Sequence, residues 1–104
     1  MEAQYRLRKQ TPHAIYDVQM QATQKAAPEF KLTIYGLDHL EDADRSRYSD
    51  AIRTGVQKAI DLISGRKNIE IDLTVRELSG ETPPFGYEQC ARILVEKFYR
   101  DSAT

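Results

Sequence analysis

From Asp44 to Ser64, Tyr48, Ile52, Val56, Ala59, Ile60 and Ile63 recur at three- and four-residue steps. They share one face of a helix, so the stretch is predicted to be amphipathic. Asp42 or Asp44 can accept from the free amides of its first turn, and Gly65 supplies the left-handed residue that commonly ends a helix. Gly55 costs about 1 kcal/mol relative to alanine in a helix interior. Its place on the buried side implies close approach to another backbone. From Ile69 the period changes to two: Ile69, Ile71, Leu73 and Val75 alternate with Glu70, Asp72, Thr74 and Arg76, the pattern of a strand with one face in the core. Phe30, Leu32 and Ile34 alternate in the same way with Lys31, Thr33 and Tyr35, and Gly36 closes the run.

The segment His13 to Thr23 fits both periods. Strand is preferred because Pro12 precedes it, because it holds aromatic and β-branched residues, and because Tyr5 and Leu7 alternate with Arg6 and Arg8 upstream. These strands are expected to form an antiparallel meander whose second turn is Lys25-Ala26-Ala27-Pro28. Two glycines and two prolines make Ser79 to Gly86 a loop. A last helix is expected from Tyr87 to Arg100, with Tyr87, Ala91, Leu94, Val95 and Phe98 on its core face. The resulting order, β-β-β-α-β-α, predicts an α+β sandwich: a four-stranded sheet with two helices on one face, in one domain spanning residues 1–104.

Composition narrows the class. The 104 residues are 40% apolar and 30% charged, ordinary for a globular chain, and about 65% of the unfolded surface is expected to be buried. No apolar run approaches the about 18 residues a membrane span needs. Met1 to Arg6 lack the apolar stretch of a signal peptide, so cytoplasmic residence is expected. A net charge of −1 is not that of a dedicated nucleic-acid binder, and no DNA partner is expected.

Candidate chemistry is sparse. His39 stands beside Asp38, Glu41, Asp42 and Asp44, but the spacing matches no ligand motif, and acidic residues ahead of a helix are favoured by its dipole. His13 has no such neighbours. No metal or other cofactor is expected. Cys90 sits near the start of the last helix, where the dipole would lower its pKa; packing as a small hydrophobe beside Ile93 and Leu94 is the preferred reading. No nucleophile elbow, phosphate-cradling glycine loop or His-x-x-x-His pair occurs, and no catalytic residue is assigned.

The remaining candidates are surface groups. Arg6, Arg8 and Lys9 form the densest basic cluster, with Arg6 and Arg8 on one face of their strand. Such a stripe can track phosphates, or it can guard an edge strand against pairing with other chains. Tyr35 has the parity opposite to its strand's core residues. Tyr16, Thr33 and Tyr35 are therefore candidates to line the open sheet face or its edge, with Thr74 beside them. Phe85, in a loop stiffened by Pro83 and Pro84, is a candidate contact residue, or it folds back over the end of the core.

Tyr5 to Gln10, Tyr16-Asp17-Val18, Ala51-Ile52-Arg53-Thr54-Gly55, Gly80 and Glu88-Gln89-Cys90-Ala91 stand in the order of the corresponding segments in domain IV of translation elongation factor G. The chain resembles that domain over nearly its whole length. The resemblance implies the ribosomal protein S5 domain 2-like sandwich, with its left-handed βαβ crossover, and an RNA- or ribosome-associated role. Departures weaken the functional part. Gly80 to Tyr87 lacks the histidine and paired serines of the family's tip loop, Asp42-Ala43-Asp44 replaces a glycine pair, and the sequence holds no GTPase domain. The preferred expectation is a small non-catalytic module whose partner is a protein or a second copy of itself. An RNA- or ribosome-associated domain is the alternative, and an enzyme of unknown type ranks third.

Overall fold

The computed structural model describes residues 2–63, 68–77 and 82–102. Its elements are β1 (Glu2–Gln10), β2 (Ile15–Ala26), β3 (Lys31–Tyr35), α1 (Asp42–Ile63), β4 (Ile69–Glu77) and α2 (Pro84–Ser102), the order the periodicity predicts. The expected helix end at Ser64 and Gly65, and the loop residues Ser79 to Glu81, lie outside the described residues.

The four strands form one sheet in the order β1-β2-β4-β3. β1 and β2 are an antiparallel hairpin, closed where the Thr11 hydroxyl accepts from the amides of His13 and Ala14 at 3.3 and 3.0 Å. The expected meander stops there. β4 lies between β2 and β3, antiparallel to the first and parallel to the second. Parallel neighbours need a crossover connection, and α1 supplies it. Flanked on both sides, β4 has Ile71 and Leu73 of its inner face fully buried. The five-residue β3 takes the edge instead.

One apolar cluster fills the space between sheet and helices. It joins Leu7, Val18, Met20 and Ala22 of the hairpin to Ile71, Leu73 and Val75 of β4, and to both helices. α1 contributes Ile52, Val56, Ala59 and Ile60, and α2 contributes Tyr87, Cys90, Ala91, Leu94, Val95 and Phe98, all at most 2% exposed. α2 lies over β1 and β2, and α1 lies against α2. Gly55 is where the helices meet most closely: a Cβ there would stand 2.2 Å from the Glu88 carbonyl oxygen. Beside it Lys58 pairs with Glu88 at 3.2 Å, and the rings of Tyr48 and Tyr87 meet at 4.5 Å. Gly36, at φ 97°, ends β3 against the Val75 carbonyl, a backbone shape and a clearance that only glycine provides.

Both helix starts differ from the sequence expectation. α1 begins at Asp42, and the carboxylates of Asp42 and Asp44 pair with Arg45 and Arg47 one turn on, at 3.2 and 3.0 Å. The Arg45 guanidinium also donates to the carbonyls of Leu40 at 2.8 Å and Asp38 at 3.3 Å, tying the β3–α1 connection to the helix. α2 begins at Pro84, three residues earlier than expected. Proline suits a first helical position because its missing N–H would have no partner there. Phe85 therefore belongs to a helix rather than to a loop.

Candidate functional site

Because side chains alternate along a strand, the sheet sorts its residues onto two faces. One carries the core. The other is left uncovered by the helices, and the strand register arranges it in rows. Gln4, Gln21, Thr74 and Tyr35 form the middle row. On one side of it lie Arg6, Gln19 and Arg76; on the other, Glu2, Thr23, Asp72 and Thr33. Beyond these, Arg8 stands beside Asp17 at the hairpin end, and Lys25, Glu70 and Lys31 form a row at the opposite end. The face is polar throughout its centre, where Gln19, Gln21, Thr74 and Arg76 line a shallow depression of about 250 Å³.

Charges on this face fall into paired and unpaired sets. Arg6 forks onto Asp17, Nε to Oδ1 at 2.9 Å and Nη2 to Oδ2 at 3.0 Å. That hydrogen bonding, helped by the charges of Arg6 and Arg8, holds the Asp17 carboxyl below the usual aspartate range. Glu70 is within 3.2 Å of Lys25 and 3.9 Å of Lys31. Glu2, Arg8, Asp72 and Arg76 form no ion pair among the described residues.

The candidate residues divide between the two faces. Thr33 and Tyr35 are on the open face, Thr33 half-buried and Tyr35 51% exposed at the β3 edge. Tyr16 is not with them: it shares the parity of Val18, and its ring lies against the start of α2, where a Cβ on Gly86 would come within 2.6 Å of Tyr16 Cδ1. Phe85, 56% exposed on the first turn of α2, belongs to neither group. The basic cluster divides likewise. Arg6 and Arg8 are on the open face, Arg6 engaged by Asp17, while Lys9 pairs across the hairpin with Tyr16 and holds its Nζ 5.4 Å from that ring.

The free edge of β1 is partly occupied. Lys97 of α2 donates to the Gln4 carbonyl at 2.9 Å, which places a cation on that edge and disfavours pairing with a foreign strand. Cys90 is fully buried, its Sγ 3.7 and 3.8 Å from the carbonyl oxygens of Tyr5 and Val18. Burial pushes the thiol pKa up to about 12, the reverse of the lowering expected from the helix dipole. His13 and His39 are both exposed, in separate connections, and the described residues contain no group of three or more side chains able to hold a metal. No described helix is long and apolar enough to cross a membrane.

Three residues that carry this geometry had only a weak sequence signal. Thr82 is fully buried and its hydroxyl accepts the Asp17 amide at 2.9 Å, locking the approach to α2 onto β2. Arg76 and Asp72 read merely as outward positions of a strand on either side of Thr74; the register alone puts that run in the middle of the face.

No protein-family model matches the sequence, and no curated protein matches it. Among solved structures, a crystal structure from Thermus thermophilus superposes with a TM-score of 0.68 over 92% of this chain, at 16% identity. The likeness is one of fold. The match spans 15% of that chain's length, so the same architecture occurs there as one part of a much longer protein.

Proposed function

We propose that this chain is a small binding module without catalytic chemistry, acting through protein–protein contact at the uncovered face of its sheet. The observation that supports it is the face itself: four hydrogen-bonded strands present Gln4, Gln19, Gln21, Thr23, Thr33, Thr74 and Tyr35 side by side, with no helix over them. Protein interfaces outside their innermost patch are about as polar as any surface, and tyrosine with small hydrogen-bonding residues is a mixture that binding surfaces use. The ladder has already fixed the backbone beneath these groups, which lowers the ordering cost of a contact. Capture from host extract on the immobilised chain tests the reading. A partner retained by Phe85→Ala but released by Tyr35→Ala and Thr74→Arg is the expected result; one released by none of them removes the open face from consideration.

A second reading has its own observation. Arg6, Arg8 and Arg76 stand at one end of the open face, and the fold order agrees with the resemblance to domain IV of elongation factor G, an RNA- or ribosome-associated domain. Against it, Arg6 is neutralised by Asp17 and Lys9 is on the other side of β1. A salt series separates the two readings. RNA affinity resting on these arginines must fall steeply between low and moderate salt, and Arg8→Ala must reduce that slope.

A further inference from the structure

We infer that the uncovered sheet face pairs with a second copy of itself, about a two-fold axis lying along the row Gln4, Gln21, Thr74 and Tyr35. The inference rests on the reading that this face binds protein and names the partner. It starts from two unpaired charges. Arg76 and Asp72 project from the same face of β4, four residues apart and so separated by about 13 Å along the strand. They are too distant to neutralise each other, and neither has an ion pair among the described residues.

A half-turn about the middle row lays every strand on its own copy, running the opposite way. Arg76 then meets Asp72 of the second copy, and symmetry makes the same pair again. Arg6 comes over Glu2, Gln19 over Thr23, and Tyr35 over Tyr35 at the end of the axis. In the outermost rows Asp17 comes over Lys25. No like charges face each other in any of these rows. The other in-plane axis, along the strands, does less: it places β2 over β4, so that Lys25 faces Glu70, a pair each chain already makes within itself, while Arg76 faces Gln19 and Asp72 faces Thr23, and both of those charges stay unpaired. The two unpaired charges therefore select the first arrangement. Packed sheets rotate by about 30° against each other, which spoils register far from the axis but not in the rows beside it. Those rows hold the Arg76 and Asp72 pairs.

The same geometry sets the strength. Four strands about 4.8 Å apart and about 25 Å long make a polar face whose total burial is at or below the about 1,200 Å² of weak, transient complexes. Association is thus expected at high micromolar concentration, weakened by salt.

Sedimentation of the whole chain up to about 1 mM, in low and high salt, tests the proposal together with two charge reversals. Arg76→Asp and Asp72→Arg each oppose like charges at two symmetric contacts, and each should weaken self-association about tenfold or more. Mixing the two variants should restore a dimer containing one of each. The chain carrying both reversals should pair with itself and not with the unaltered chain. Restoration on mixing also excludes misfolding as the cause of the single losses. A monomer at about 1 mM in low salt, single variants that associate as before, or mixing that restores nothing overturns the pairing. If a host protein is then still captured, and Thr74→Arg releases it, the binding face stands with another occupant. If Thr74→Arg releases nothing, the binding-face reading falls as well.

Discussion

On the helix side of the sheet Val18, Met20, Ala22, Ile71 and Leu73 are at most 1% exposed, whereas one residue along the same strands Gln21, Thr23 and Thr74 are exposed. The backbone is shared, so the difference lies in what surrounds each side chain. A residue on the inner face is held by atoms on every side, including two helices close enough that a Cβ at Gly55 has no room. One on the outer face is held by its neighbours in a row and by water. Stability is concentrated on the first face, which leaves the second free to be selected for recognition.

Adjacent residues of β4 give the sharpest contrast. Leu73→Ala should lower the unfolding free energy by about 2–5 kcal/mol, measured from the denaturant midpoint, because the cavity cannot close against a sheet and two helices. A loss below about 1 kcal/mol would mean that the inner face is looser than its burial indicates. Gly55→Ala comes next. Helix propensity favours the alanine by about 1 kcal/mol, but its methyl group must push the Glu88 carbonyl and hence α2 away, and overpacking of this kind costs about 1–3 kcal/mol. A net decrease in melting temperature is expected, and an increase would show that the helices are not in backbone contact.

The outer face should respond to pH and salt instead. The Asp17 carboxyl is held below its ordinary range in the folded chain, so its contribution is present above the unfolded aspartate pKa and is lost as pH falls through the folded one. Asp17→Asn should therefore flatten the acid side of the melting profile, through and below the ordinary aspartate range, with a difference that shrinks in salt. An unaltered acid limb would indicate that the fork with Arg6 does not persist in solution. The smallest effect is expected at Thr74→Ala, within about 0.5 kcal/mol of the unaltered chain, although it removes a residue at the centre of the proposed interface. A larger loss there would erase the contrast between the faces.

Periodicity alone determined most of the fold. The α1 face through Ile52, Val56 and Ile60, the α2 face through Leu94 and Phe98, and the inward residues of β4 are all buried as their spacing requires, since a helix or strand with one apolar face must put it somewhere dry. Gly55 was legible too, because a glycine on a buried helix face costs propensity without another use. Tyr16 could have been placed from its parity with Val18. Other features were decided by contacts between residues distant in sequence. A strand's alternation says which side is apolar but not which strand lies beside it, so the insertion of β4 between β2 and β3 was invisible, and with it the row that joins Gln4 to Tyr35. Proline at Pro84 suits a turn and a helix start equally, and only the packing of the first turn of α2 near Tyr16 made it the latter. The thiol of Cys90 lies near a helix start in the sequence, yet full enclosure beneath the hairpin outweighs the dipole. The open face belongs to this second group: its residue types are written in four separate segments, and their juxtaposition exists only once the register brings them together.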